Sequence, residues 1–410
     1  MKRSVITLLL VGLFALVSAS AQELVVWGSH DLTDGENPNS VALNSKIDSF
    51  EADTGVNVAY EQVAWDQLAT KLAIAVQSGG DVPDVVEAGS QHIPALLDAG
   101  ALMPLDDLLE GYDWTAELGD GDRSACVIDG TRYCIAHNVR GGMTYYRADA
   151  FPEGYPQTTR EWLEVAGTVT DDDNYFSTQF AGRSYASVEI MWYPMIVSNG
   201  GLLFDDEGRP AWANEEVAEV VEFGRTLFGE GYFPEVNVTG DFSDAEAPWM
   251  NGSAASFRGG SWSAVFVPGL QASVDAGEVV MTGGVDFGEG PKVFMVSEGW
   301  VVPEGAENLD AAAQWLDAFF EPEFLAQWAA AQFGIPTLAS AYEVADFDST
   351  FYQSVDDILG AQGVYMPQSP YYVESLDALA VALQEIFLDP DIDIAAHLQD
   401  AQDEVLRRYW

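Results

Sequence analysis

The sequence predicts an α/β protein built of two domains. With 410 residues, the chain is long enough for two domains of ordinary size, each with its own core. From Glu23 to about Asp98, strand-like and helix-like segments alternate, which is typical of a largely parallel sheet covered by helices. The glycine pair Gly141-Gly142 lies between two strand-like segments, at a point where the chain can cross between domains.

The alternating part is predicted to contain three strands and three helices. Their predicted ranges are 23–27 (strand), 43–54 (helix), 56–63 (strand), 65–76 (helix), 84–87 (strand) and 91–98 (helix). Ligands bind such sheets beyond the carboxyl ends of the strands. We therefore expect a binding surface at 30–31, 63–65 and 87–92.

The rest of the chain predicts further helices and a second crossover. Helices are expected at 215–228, at 243–250, over an apolar region that is interrupted at Pro322, and over 371–408 with a break at Asp389-Pro390. The second crossover between domains is expected near 293–302.

The two cysteines, Cys126 and Cys134, flank a predicted hairpin at Asp129-Gly130. With a three-residue loop they would face each other within reach of a disulfide. With a two-residue loop the register shifts by one residue and they would not. An oxidised pair is the expected state outside the cytoplasm, and a two-cysteine metal site lacks further ligands nearby.

Residues 1–21 show the pattern of a secretory signal peptide. Lys2 and Arg3 precede an apolar segment at 6–17, and Ala19-Ser20-Ala21 offers a small-residue cleavage site. The apolar run is too short to span a membrane, and no cysteine near the cleavage site provides a lipid anchor. The sequence therefore predicts a periplasmic or secreted protein.

The chain is strongly acidic, with 66 acidic and 16 basic residues and a formal net charge of −50. Nucleic acid and anionic membrane surfaces would repel such a surface, so neither is expected as a partner. The acidic residues are spread along the whole chain, which suits a saline habitat as a hypothesis.

The order of short motifs resembles the extracellular solute-binding proteins of ABC importers, in the maltose-binding-like group that takes up sugars. The motifs are ELVVW (23–27), FEADTG (50–55), GDVPD (80–84), IDGTRY (128–133), YYRAD (145–149), WMNG (249–252), GGSW (259–262) and GIP (334–336). The segment MPQSPYY (366–372) is most similar to members that bind trehalose, maltose or related glucosides. Those members usually have an arginine where Met366 stands, which leaves the exact sugar open.

The resemblance implies the two-lobed fold of a type II periplasmic binding protein, with a hinge between the lobes. The expected lobes are 22–138 plus 296–338 and 139–295 plus 339–410. It implies a monomer that captures a sugar in the cleft between the lobes and delivers it to the permease subunits of an ABC transporter. No catalysis, cofactor or metal is expected.

Three residues are candidates to contact the ligand through a flat ring or a turn. Trp262, after Gly259-Gly260, resembles the family's sugar-stacking tryptophan, because a ring face suits the apolar face of a sugar. Ser261 offers a hydroxyl or an amide, and Trp65 begins a helix just after a strand end. The same patterns also fit two alternatives: the tryptophans could pack in the core, and Ser261 could be an ordinary turn residue.

The polar candidates follow strand ends or the first crossover: His30, Asp31, Glu87, Gln91 and Arg140. A carboxylate such as Glu87 can accept paired sugar hydroxyls, and charge-assisted hydrogen bonds are the stronger kind. Asp31 also fits a loop or cap residue, Gln91 a helix N-terminus, and Arg140 a structural ion pair.

Four more aromatic residues are candidates for the site or for the core: Trp192, Trp300, Tyr371 and Tyr372. The acidic cluster at 171–173 lacks the spacing of a calcium loop, so no metal site is predicted.

Two alternatives to a sugar-binding protein follow from the same residues. An exported carbohydrate-active enzyme would need two placed carboxylates, and the chain has no Gly-x-Ser-x-Gly elbow, metal-spaced histidines or phosphate loop. The same fold could instead bind a glycerophosphodiester or a polyamine. A phosphodiester calls for more basic residues near the cleft than Arg140 and Arg258, and a polyamine leaves the aromatic–glycine motif less well explained.

Overall fold

The computed structural model describes residues 23–344 and 347–410. The predicted signal peptide, 1–21, lies outside the described residues. A sheet of ten strands runs through the described chain and carries helices on its faces. Among the described residues, no helix is both long and apolar enough to cross a membrane.

The first part of the chain alternates strands and helices as the sequence predicts. Its elements are β1 (Glu23–Gly28), α1 (Pro38–Thr54), β2 (Asn57–Gln62), α2 (Trp65–Ser78), β3 (Val85–Gly89) and α3 (Ile93–Asp98), with a 3-10 turn at Ser90–His92. β1 pairs in parallel with both β2 and β3, which confirms the predicted parallel arrangement. Gly55 and Gly79 end α1 and α2 in the left-handed conformation, at φ 74° and 62°, which glycine adopts without steric cost.

The next segment contains the cysteine hairpin, consisting of α4 (Asp120–Cys126), β4 (Val127–Ile128) and β5 (Thr131–Arg132). The loop is the two-residue turn Asp129-Gly130, with both residues at positive φ. The cysteines nevertheless form a disulfide, with their Cα atoms 4.7 Å apart. Our expectation that a two-residue loop would keep them apart is therefore wrong. Cys126 is the last residue of α4 and accepts a hydrogen bond from the Tyr133 N–H at 2.9 Å, so the hairpin register is shifted by one residue and the disulfide still forms.

The central part begins with a long strand and continues through a second α/β unit. Its elements are β6 (Ile135–Arg147), α5 (Thr159–Val169), β7 (Tyr175–Gln179), α6 (Tyr185–Ser187), α7 (Tyr193–Ser198), α8 (Glu215–Gly229), α9 (Val236–Thr239), α10 (Phe242–Met250), β8 (Ala254–Gly260), α11 (Ser263–Phe266), α12 (Leu270–Asp275) and β9 (Val279–Thr282). A π-helical segment, Val188–Trp192, joins α6 to α7.

The last part returns to the first unit before it ends in helices. Its elements are β10 (Val293–Val301), α13 (Leu309–Phe319), α14 (Pro322–Ala331), β11 (Ile335–Pro336), α15 (Ala339–Val344), α16 (Thr350–Gln362), β12 (Gly363–Tyr365), α17 (Tyr372–Leu388) and α18 (Ile394–Tyr409). The predicted breaks at Pro322 and at Asp389-Pro390 both separate helices, because proline cannot continue the hydrogen-bonding pattern of a preceding helix.

Two strands join the two units. β6 pairs with β10 through Ile135–Gly141 and with β8 and β9 through Gly142–Arg147. β10 also pairs with β3, so the strand order is β2-β1-β3-β10-β6-β8-β7. We call the unit around β1–β3 the first lobe and the unit around β7–β9 the second lobe. The predicted crossovers thus correspond to β6 and β10, whereas the predicted lobe boundaries stay a prediction.

Candidate functional site

A cleft of about 730 Å³ lies between the two lobes, where the loop after β1 and the start of α2 face α10 and α11. Six of the predicted site residues line it: His30, Asp31, Trp65, Gln91, Arg140 and Trp262. The other six do not: Glu87, Trp192, Ser261, Trp300, Tyr371 and Tyr372. The structure therefore brings half of the predicted residues together around one cavity.

Glu87 lies beneath this cleft and holds the loop after β1. Its carboxylate accepts hydrogen bonds from the Ser29 backbone N–H at 2.9 Å and the Ser29 hydroxyl at 3.0 Å, and its Oε1 lies 3.1 Å from His30 Nε2. Burial alone would raise the pKa of Glu87, but the charge and hydrogen bond of His30 lower it to about 2. Glu87, which we expected to bind sugar hydroxyls, instead orients His30 from below.

Trp65 and Gln91 form the first-lobe wall around a buried histidine. The ring of Trp65 is half-buried and lies 5.5 Å, centroid to centroid, from His92, whose pKa burial lowers to about 4. The Gln91 side chain folds over Gly89, where an added Cβ would lie 2.4 Å from Gln91 Oε1. Gln91 Oε1 is buried and has no hydrogen-bond partner among the described residues.

Arg140 and Glu298 form an ion pair between the two connecting strands, since Arg140 is on β6 and Glu298 on β10. Burial raises the pKa of Glu298, the Arg140 charge lowers it, and the nearby Glu87 charge raises it again. The guanidinium carbon of Arg140 also lies 5.8 Å from the ring centroid of Trp262. Of the two roles considered for Arg140, the structural ion pair is present. Its Nε is buried without a hydrogen-bond partner among the described residues.

Trp262 is half-buried at the start of α11 and lines the cleft. Gly259 and Gly260 are the last two residues of the extended strand β8 and form no turn. A Cβ on Gly260 would lie 2.4 Å from the Trp262 ring. Gly260 therefore makes room for the neighbouring tryptophan ring. Ser261 is fully buried, and its backbone N–H donates to the Gly141 carbonyl at 2.9 Å.

Three of the other aromatic candidates lie in the core or near the end of the chain and do not line the cleft. Trp300 is fully buried against Phe319, with centroids 5.1 Å apart, and Trp192 packs on Phe387 at 4.9 Å. Tyr371 stacks on Tyr409 at 4.8 Å, near the end of the chain. Burial of the Trp192 and Trp300 rings stabilises the lobes, which is the core-packing alternative stated above.

Tyr372 stands behind the cleft wall and supports a residue that the sequence analysis missed. It is buried, and its hydroxyl donates a hydrogen bond to Glu189, which lines the cleft from the π-helical segment. Burial raises the pKa of Glu189 to about 8, although the Tyr372 hydrogen bond lowers it. A lone carboxyl group within the apolar run Val188–Trp192 was the available sequence signal for this position.

The second-lobe wall contains further residues that we did not predict: Tyr185, Asp241, Phe242, Glu246 and Phe266. Burial and then the Asp241 charge raise the pKa of Glu246 to about 7. Phe266 is 60% exposed, so its apolar surface faces the open cleft. The cleft therefore combines aromatic faces with hydrogen-bonding side chains from both lobes, which is the composition of a site for a hydroxylated organic ligand.

A family model described as "Bacterial extracellular solute-binding protein" matches residues 34–325. The chain belongs to this family, which confirms the resemblance seen in the sequence. Members of an extracellular family are exported proteins.

Individual relatives agree in length and fold. The maltotriose-binding protein of Pyrococcus abyssi is 25% identical over 370 residues, covering 86% of this chain and 76% of that protein. A solute-binding protein of an ABC transporter from Thermotoga lettingae, solved with alpha-D-tagatose, is 18% identical, with a TM-score of 0.80 over 94% of this chain and 99% of the other. The GacH receptor of Streptomyces glaucescens, solved unliganded and with acarbose, is 17% identical, with a TM-score of 0.78 over 95% and 100%. These likenesses confirm the predicted two-lobed α/β fold.

Proposed function

We propose that this protein is the sugar-binding component of an ABC importer, and that it captures a glucoside-like mono-, di- or short oligosaccharide between its lobes. The observation that carries the proposal is that Trp65 of the first lobe and Trp262 of the second both line one cleft. Aromatic faces on both sides of a polar cavity can cover the apolar faces of sugar rings, while amide and carboxyl groups bind the hydroxyls.

The unpartnered polar atoms of the wall support the same proposal. Among the described residues, Gln91 Oε1, Arg140 Nε and Gln332 Oε1 are buried without hydrogen-bond partners, and all three residues line the cleft. A buried polar atom without a partner is unfavourable, so a ligand rich in hydroxyl groups would stabilise the closed site. Binding of this kind requires no bond to be made or broken, and we propose no catalytic residue.

A glycerophosphodiester fits the cleft less well than a neutral or cationic ligand. Arg140 is already paired with Glu298, and Arg258 is buried in the second lobe with its Nη1 donating to Gln179 Oε1 at 2.6 Å. Neither guanidinium is therefore free to neutralise a phosphate. A polyamine would match the acidic wall but would leave the ring faces and hydroxyl-binding amides without a role.

The proposal extends to the cellular setting of the protein. Residues 1–21 would act as a signal peptide, and the mature chain would work in the periplasm or outside the cell as a monomer. The closed, ligand-bound form would then dock transiently on the transmembrane subunits of the transporter.

A thermal-shift screen against mono-, di- and trisaccharides tests the function, because a ligand that binds only the native state raises the melting temperature. We expect saturable stabilisation by one class of saccharide. Trp262→Ala should abolish the shift and keep the fold, whereas Trp410→Ala is the matched control, since Trp410 is 44% exposed and packs on Tyr371 away from the cleft. A shift with spermidine or a phosphodiester and none with any saccharide would overturn the proposal.

A further inference from the structure

The cleft has an excess of carboxyl groups over basic groups. Its carboxyl side chains are Asp31, Glu189, Asp241, Glu246 and Glu298, whereas its basic side chains are Arg140 and His30. Both basic groups are already engaged, since Arg140 pairs with Glu298 and His30 with Glu87. The described part of the chain therefore supplies no cation for the second-lobe wall.

Two of these carboxyl groups are deeply buried in that wall. Glu189 is 4% exposed and Glu246 is 6% exposed, although both line the cleft. Glu189 accepts a hydrogen bond from Tyr372, while Glu246 has no hydrogen bond from a side chain and no salt bridge among residues 23–344 and 347–410. Burying a carboxyl group without a cationic partner is costly, so these positions favour a ligand that brings the positive charge.

Aromatic rings surround the same wall. Tyr185 and Phe242 line the cleft beside the two glutamates, and Trp65 and Trp262 face it from either lobe. An ammonium group is attracted to the faces of such rings and makes stronger hydrogen bonds to carboxylates than a neutral hydroxyl does. The wall thus combines the two features that recognise an amine. Glu189 and Glu246 would bind it as carboxylates, so a proton that either holds in the unliganded protein is released when the ammonium group binds.

We propose that the ligand is an amino sugar, a saccharide with a protonated amine in place of a hydroxyl, whose ammonium group is bound by Glu189 and Glu246 of the second-lobe wall. This inference rests on the proposed sugar-binding function and narrows it to one chemical class. It excludes uronic acids and sugar phosphates, whose negative charge the same wall would repel.

Matched ligand pairs test the inference on the wild-type protein. Dissociation constants are measured by calorimetry at neutral pH and low salt for glucose and glucosamine, and for trehalose and 2-amino-2-deoxytrehalose. We expect the amine of at least one pair to bind about tenfold or more tightly than its neutral partner, which corresponds to about 1.4 kcal/mol. The N-acetylated form of that amine, which has no charge, should lose the preference.

Variants then assign the effect to the two glutamates. Glu189→Gln and Glu246→Gln should each reduce the amine preference, the ratio of the neutral-sugar to the amino-sugar dissociation constant, to about threefold or less. The control is Glu235→Gln, an exposed position in the same lobe that removes the same charge. Equal or tighter binding of the neutral sugars would overturn the amine inference and leave the sugar-binding function intact. Binding of no saccharide would overturn the function itself, and these outcomes are read on wild-type protein even if a variant fails to fold.

Discussion

The guanidinium of Arg140 on β6 and the carboxylate of Glu298 on β10 are paired across the two strands that join the lobes, with only 14% and 5% of their side chains exposed. The pair therefore links both connecting strands directly beneath the cleft. Its position ties the geometry of the ligand site to the strands about which the lobes would close.

Arg140→Gln is expected to destabilise the protein by about 3–5 kcal/mol, because it leaves the buried Glu298 carboxylate without its cation. The double variant Arg140→Gln with Glu298→Gln should lose less than the sum of the single losses. Urea denaturation measures both. Arg160→Gln is the matched control, since it removes an exposed arginine whose partner Glu164 is 70% exposed, and it should change stability by less than about 0.5 kcal/mol. Equal losses at the two arginines would contradict the prediction.

Glu189 is expected to make stability fall as the pH rises. Its pKa is raised by burial from the ordinary 4.5 to about 8. The folded protein therefore keeps a proton that the unfolded chain releases, so the stabilising contribution is complete below about pH 4.5 and is lost as the pH approaches about 8. The slope is up to about 1.4 kcal/mol per pH unit.

Glu189→Gln removes this titration while keeping an acceptor for the Tyr372 hydroxyl. Denaturation at several pH values between about 5 and 8 should show the variant gaining stability relative to the wild type as the pH rises. Glu235→Gln, at an exposed position, should show no such trend. A constant difference between Glu189→Gln and the wild type across this range would refute the assignment.

Gly260→Ala is expected to weaken ligand binding through the ring of Trp262. The new Cβ would lie 2.4 Å from that ring, so the ring must move away from its place in the cleft. We expect a loss of sugar affinity of about tenfold or more, measured by calorimetry. Gly360→Ala, where an added Cβ meets nothing within 4 Å, is the control and should leave affinity unchanged.

Removal of the disulfide is expected to destabilise the fold moderately and leave ligand binding intact. The bond closes a short loop with a sequence separation of 8 residues, for which chain entropy gives about 2–3 kcal/mol. The double variant Cys126→Ser with Cys134→Ser should show this loss in urea, with unchanged sugar affinity. A change in affinity would show that the hairpin acts on the cleft.

Added salt is expected to raise the melting temperature, because 66 acidic residues repel one another on a surface with 16 basic residues. A series from low to molar sodium chloride checks this expectation. A melting temperature that does not change with salt concentration would contradict the hypothesis of a saline habitat.

Local patterns predicted much of the first lobe. Helical spacing followed by Gly55 or Gly79 located the ends of α1 and α2, because few residues other than glycine adopt the conformation that ends a helix this way. The ends of β1 and β3 then predicted that His30 and Gln91 would lie at one edge of the sheet, and both line the cleft.

The second-lobe wall was harder to predict because its residues come from short helices whose packing depends on distant parts of the chain. Trp192 and Trp262 are the same residue type and were both candidates for the site, yet one is in the core and the other lines the cleft. The only sequence feature that distinguishes Glu189 is that it is an acidic residue within an apolar run. Its hydrogen-bond partner, Tyr372, is 183 residues away in sequence. Side-chain exposure at these positions is decided by tertiary contacts, which spacing alone does not reveal.

The strand order has a consequence for how the chain is made. β10 fills the place between β3 and β6, yet it follows β6 by about 150 residues in sequence. During synthesis, the edges of β3 and β6 that pair with β10 stay unpaired until β10 has been made. Unpaired strand edges can pair with other chains and cause aggregation. We therefore expect the newly made polypeptide to stay unfolded until its last third is available, which favours threading through a translocon before the sheet is complete.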